Sequence, residues 1–205
     1  MRTDAKSIPS LKNKLINLNN ELDDLYDRYL DYDTLPPLDF LEKMTIILED
    51  RRYFTHLGVD IRSVIRELWR KFTFQRHGGA STIEMQFVRT VNNRKELTAY
   101  RKFREAVIAV LANYHFNKIA LLRSYLDIAF FGSGIIGRNR ASEVVYGKSP
   151  YGLTPKEAAV IASMLVYPRP LVETDAWRKK IERRSEYALR LLPRFEKMFD
   201  KIVVS

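Results

Sequence analysis

The residues able to do chemistry in this chain fall into three short clusters. The first is Glu49-Asp50-Arg51-Arg52, followed by Tyr53, Phe54, His56 and Gly58-Val59-Asp60. Two acids abutting two arginines suit a carboxylate base working beside cations that hold an anion. The same four letters also describe a solvated helix end with surface ion pairs, which contribute little. The second cluster is Arg101-Lys102-Phe103-Arg104-Glu105, leading into the apolar run Ala106 to Ala112. Glu105 lies one helical turn after Arg101, so an ordinary i,i+4 pair explains it as readily as an anion site does. The third is Gly78-Gly79-Ala80-Ser81-Thr82, whose backbone N–H groups open a helix and could hold an anion. Three histidines, His56, His77 and His115, are spaced too widely for a metal-ligand pattern, so no metal site is expected from them. With no cysteine, the chain has no disulfide, thiolate nucleophile, Cys-ligated zinc or iron–sulfur cluster.

The 205 residues, 46% hydrophobic and 12% aromatic, suffice for one compact domain with a small appendage and exclude disorder over most of the length. Charge is unevenly placed. Residues 1–50 hold 6 basic and 11 acidic side chains, whereas residues 51–205 hold 29 basic and 14 acidic, a local net of +15. So basic a surface suits a polyanion: nucleic acid, anionic lipid or a phosphorylated substrate. The longest largely apolar stretch, Ala158 to Val166, is nine residues, far short of a bilayer span, and the N-terminus lacks a signal-peptide core.

Periodicity supplies the elements that must position the clusters. Leu11, Leu15, Leu18, Leu22, Leu25 and Tyr29 form a heptad seam, predicting an acidic amphipathic helix over 11–32 that packs on its own domain or on a protein partner. Pro36-Pro37 ends it, which places an N-terminal segment at 1–37 and the main domain at 38–205. Leu41, Met44, Ile47 and Leu48 define one helical face, and Ile61, Val64, Ile65, Leu68 and Trp69 another, with Asp60 as its N-cap. Residues 72–80 lose the period and read as a mobile loop. Ser81 with Glu84 has the form of a capping box opening the next helix. Further helices are predicted near 97–113, 118–131, 138–146 and 155–167, the last with Thr154, Pro155 and Glu157 as cap, N1 proline and box partner. A final basic helix starts near Asp175, with Pro193 expected to kink or end it. No strand alternation is convincing, so the class is all-α. The GxGxxG at Gly132 to Gly137 follows a helical pattern rather than a strand, and is expected to be a tight inter-helix turn instead of a dinucleotide fingerprint.

Taken in order, the clusters resemble the peptidoglycan glycosyltransferases of family 51, found as monofunctional biosynthetic transglycosylases and as a domain of class A penicillin-binding proteins. The first family motif, E-D-x-x-F/Y followed by H-x-G-V-D, stands here as Glu49 to Asp60, nearly intact. G-[GA]-S-T-I-T-Q-Q stands as Gly79-Ala80-Ser81-Thr82-Ile83-Glu84-Met85-Gln86, and R-K-x-x-E as Arg101 to Glu105. K-x-x-I-L-E-x-Y-L-N with a following glycine turn is Lys118 to Gly137, and Arg183-Arg184 matches the fifth motif loosely. The resemblance covers about residues 40–192. It implies a lysozyme-like fold with a small mobile sub-lobe beside the cleft, and polymerisation of a lipid-linked disaccharide into a growing glycan strand. It also implies a peripheral site on the cell-wall side of the cytoplasmic membrane, where the basic half would hold to anionic lipid.

By the same resemblance Glu49 is the general base and Glu105 the second essential carboxylate. Arg101, Lys102 and Arg89 would bind the donor pyrophosphate. Asp50, Arg51 and Arg52 would orient Glu49 and the headgroup, while Ser81, Thr82 and Gln86 line the cleft wall. No cofactor is required, though a magnesium or manganese ion at the pyrophosphate is compatible with the motifs. The chain departs from the family at Glu84 and Met85, where a Thr-Gln pair is usual, at Leu97 in place of an arginine, at Arg123 in place of a glutamate and at Asp127 in place of an asparagine. Three other readings compete. A weakened relative would bind the lipid-linked precursor or a cell-wall partner without catalysis. A muramidase would need a protonated acid in an apolar pocket, whereas both glutamates here sit among arginines. Nucleic-acid binding lacks a recognition helix or aromatic platform, and is not expected.

Overall fold

The computed structural model describes residues 37–72, 81–92 and 99–202. The helix predicted over 11–32, the loop before Gly78 with its sub-lobe, and Leu97 lie outside the described residues. Those described are almost entirely helical, as the all-α reading requires. α1 spans Phe40–Glu49, and a single 3-10 turn follows at Tyr53–Thr55. Next come α2 (Ile61–Phe72), α3 (Ile83–Asn92), α4 (Ala99–His115) and α5 (Lys118–Ile128). A hairpin of β1 (Phe130–Gly132) and β2 (Ile135–Ile136) leads to α6 (Arg138–Tyr146), α7 (Pro155–Met164) and α8 (Asp175–Ile202).

α1 is the central helix. Asp39 caps it by accepting from the Glu42 N–H at 2.9 Å while Glu42 accepts from the Asp39 N–H at 2.9 Å, so two otherwise unpaired donors are satisfied reciprocally. Leu41, Met44, Ile46 and Ile47 are fully buried, and α7 and α8 pack on the helix. On α7 the small residues Ala158, Ala159 and Ala162 are buried at that contact layer, and small side chains let helix axes approach. The predicted cap of α7 is present: Thr154 Oγ1 accepts from the Glu157 N–H at 3.3 Å and Glu157 accepts from the Thr154 N–H at 2.9 Å.

Three expectations need correction. The glycine-rich turn is a two-stranded antiparallel hairpin, not a bare turn. Its glycines serve close approach, because a Cβ on Gly132 would lie 2.5 Å from the Arg169 carbonyl oxygen and one on Gly137 2.4 Å from that of Asp127. Second, α8 does not end at Pro193 but runs through it to Ile202. The lost backbone bond is offset because Phe199 beyond the proline is buried and Phe195, Met198 and Ile202 pack on the core. Third, the cap of α3 is Thr82, whose Oγ1 accepts from the Met85 N–H at 3.3 Å, whereas Glu84 is drawn inward by Lys118. The predicted apolar face of α2 is largely exposed among the described residues: Ile61, Ile65 and Trp69 are 68, 59 and 72% exposed.

Candidate active site

Glu49 is the last residue of α1, and Asp50 leaves the helix with φ −152° and ψ 79°. A carboxylate at a helix C-terminus meets the negative end of the helix dipole, so cations must gather there to hold it. They do. Arg184 of α8 donates to Glu49 Oε1 at 2.6 Å and to the Leu48 carbonyl at 3.2 Å, and Arg51 Nε donates to the Ile47 carbonyl at 3.2 Å. Arg51 also donates to the Tyr187 hydroxyl, with its guanidinium over the Tyr187 ring. The other oxygen of Glu49 accepts from Gln86 Nε2 at 3.1 Å. Gln86 cannot turn its amide around, because its Oε1 accepts from the Tyr125 hydroxyl at 2.8 Å. Burial, and after it the charge of Glu49, pushes the Tyr125 phenol up, which keeps it a donor.

α3 also packs on α4, the helix that carries Glu105. Glu105 is buried, and its Oε1 lies 3.4 Å from Arg101 Nε. Lys102 stands exposed beside them, as does Arg89 near the end of α3, close enough for its charge to act on Tyr125. The packed pair α3 and α4 thus carries the cations Arg89, Arg101 and Lys102, a set suited to a diphosphate.

Asp50, next to Glu49, points the other way. It is buried, accepting from His56 Nε2 at 2.9 Å and from the Ile83 N–H at 3.3 Å. Arg52 donates to Asp60 Oδ1 at 3.0 Å, and hydrogen bonds from Ser63 with the Arg52 charge outweigh burial to hold the Asp60 carboxyl low. Thr82 Oγ1 donates to the Gly58 carbonyl at 2.6 Å. Gly58 has φ +81°, and a Cβ there would lie 2.3 Å from the Ala109 carbonyl oxygen of α4. Asp50 and Thr82 therefore tie the segment after α1 to the start of α3, and Arg52 ties it to the start of α2. Ser81 is half-buried just ahead of α3.

Sequence reading missed Tyr125, Arg184 and the group around Glu84. Tyr125 and Arg184 lie inside stretches that resembled family motifs, but nothing in their spacing tied them to Glu49. Asp50, His56 and Glu84 each offer a ligand-type atom, and these atoms lie within 4.8 Å of one another, a grouping the histidine spacing did not reveal. Burial pushes the Glu84 carboxyl up against the opposing pull of Lys118, and burial likewise pushes the Lys118 ammonium down.

This helical frame, with a carboxylate closing its central helix, is that of a transglycosylase. A sequence profile described as Transglycosylase matches residues 14–192, and the chain belongs to that family, the peptidoglycan glycosyltransferases of family 51. It is 31% identical over 182 residues to the biosynthetic peptidoglycan transglycosylase of Nitrosomonas europaea, covering 88% of this chain and 73% of that protein. The corresponding protein of Nitrosomonas eutropha is 28% identical over 171 residues, covering 82% of this chain and 68% of its own length. Penicillin-binding protein 1A of Rickettsia prowazekii is 30% identical over 159 residues, but the chain spans only 19% of it.

Proposed function

We propose that this chain polymerises lipid-linked disaccharide into β-1,4 glycan strands by inverting transfer, with loss of a polyprenyl pyrophosphate. The observation that supports this best is the clamp on Glu49: one oxygen held by Arg184 and the other by Gln86, whose amide is fixed by Tyr125. Such a carboxylate is oriented and keeps lone pairs for a proton. In the reaction the acceptor hydroxyl oxygen bonds to the anomeric carbon as the bond from that carbon to the diphosphate oxygen breaks. Glu49 takes the hydroxyl proton, help worth roughly 10²–10⁴ in rate. The leaving diphosphate gains charge, which Arg101, Lys102 and Arg89 neutralise. The donor diphosphate is already anionic and gains a further charge as the bond breaks, so the attraction is strongest in the transition state and favours it over the bound donor. A magnesium or manganese ion, if bound, would be held by Glu105 and would add to the neutralisation of the diphosphate charge.

Among the described residues no helix is long and apolar enough to cross a membrane. The exposed Ile61, Ile65 and Trp69 of α2, with exposed Arg62 and Arg66 on the same helix, support a peripheral seat on an anionic membrane. The test is incubation with labelled lipid II, with and without divalent metal, resolving products by glycan length. Polymer formed by the wild type and lost in Glu49→Gln is the expected result. A silent wild type that still binds lipid II overturns catalysis and favours a precursor-binding relative.

A further inference from the structure

Asp50 at the end of α1, His56 after the 3-10 turn and Glu84 in the first turn of α3 meet beneath the catalytic end of α1. Their side chains are 5, 5 and 0% exposed. Asp50 is bound to His56 Nε2, which makes that nitrogen the natural donor and leaves Nδ1 facing Glu84 Oε1, 4.0 Å away. Among the described residues neither His56 Nδ1 nor Glu84 Oε2 has a hydrogen-bond partner, although both are buried. Groups of this kind are rarely left unsatisfied in an interior without a reason.

Charge counting points the same way. Two carboxylates face one ammonium, that of Lys118 at the start of α5, which donates to Glu84 Oε1. The remaining neighbours add nothing: Tyr53 donates its hydroxyl to the Lys118 carbonyl at 2.7 Å, and Arg52 is engaged with Asp60. With a neutral imidazole the group keeps one net negative charge below the surface, which calls for a further cation. An imidazole with one nitrogen fixed by a carboxylate and the other turned toward an acid is also the usual surrounding of a metal-bound histidine.

We propose that Asp50, His56 and Glu84 form a binding site for one divalent transition-metal ion of the zinc or manganese type. His56 Nδ1 and the Glu84 carboxylate are the direct ligands, and Asp50 fixes the ring. Lys118, whose side chain is 18% exposed, withdraws toward solvent as the ion enters, and water fills the remaining positions. Nitrogen and oxygen donors at about 2.0–2.2 Å from such an ion require only a small closure of the present spacing. The site is separate from any ion at the pyrophosphate and does not depend on the proposed activity.

The test is titration of the full, tag-free chain with zinc against a chromophoric chelator, alongside cobalt substitution read by its visible bands. The wild type should take up one equivalent, and Glu84→Gln or Glu84→Thr should weaken binding roughly 10–100-fold, as loss of a metal-site partner commonly does. Lys118→Met should tighten it by about 10-fold or more, a gain that misfolding cannot imitate. Affinity unchanged by both Glu84 substitutions overturns the proposal. So does the absence of stoichiometric binding in both the wild type and Lys118→Met, which would leave a proton on His56 as the balancing charge.

Discussion

The two ends of α1 treat their acids in opposite ways. At the start, Glu42 has every acceptor filled: Arg123 donates at 2.6 and 3.2 Å, Arg138 at 2.9 Å, and the Asp39 N–H at 2.9 Å. Arg138 is further held by Asp127 at 3.1 Å and by the Tyr151 hydroxyl at 2.8 Å. At the far end Glu49 has, among the described residues, two donors, and beneath it His56 and Glu84 retain atoms unpaired by any described residue. A saturated charge cluster fixes the position of a helix. An unsaturated one keeps capacity for a proton, a sugar hydroxyl or an ion.

The sharpest way to break this contrast is Glu42→Gln. It removes the carboxylate to which buried Arg123 donates twice and Arg138 once, and should cost about 3–5 kcal/mol in urea unfolding. Glu84→Gln at the other end should cost about 1 kcal/mol or less, because Lys118 can reach water. Equal losses in the two variants would erase the distinction. Tyr125→Phe loosens the Gln86 amide without touching a cation. It should lower kcat by about 2–10-fold with KM little changed, the size of one neutral hydrogen bond.

The smallest effect is in pH. Asp39 is pushed up to about 6, by burial first and then by the charge of Glu42, with Arg138 and Arg123 opposing. Its proton is therefore held more tightly in the folded than in the unfolded chain. The contribution of this group to stability is present at low pH and is lost as pH rises through about 6. Asp39→Asn, which keeps a competent cap, should flatten the stability profile between about pH 4 and 6 in thermal melts.

Local signals were read well from sequence. The Thr154-Pro155-Glu157 cap, the buried face of α1 and the helical class all follow from neighbours a few residues apart. Long-range consequences were not legible. Ser81 and Glu84 have the letters of a capping box, but an ammonium 34 residues away captures the glutamate and Thr82 takes over the cap. The periodicity of α2 revealed an apolar face without saying that nothing in the described core covers it. Arg123, a departure from the family, is matched by Glu42 across 81 residues, a pairing no spacing rule could supply. At the site, Glu49 could be singled out from its motif, whereas Arg184, 135 residues distant, could not.

α8 carries Arg184 on one side of Pro193 and Phe199 on the other. Lacking an N–H, the proline removes one rung of the helix and makes that turn the softest point along its length. A pull on the tail is absorbed there, about two and a half turns before it reaches Arg184. The guanidinium on Glu49 is thereby shielded from displacements of the last turns of α8, much as a strain relief protects a soldered joint.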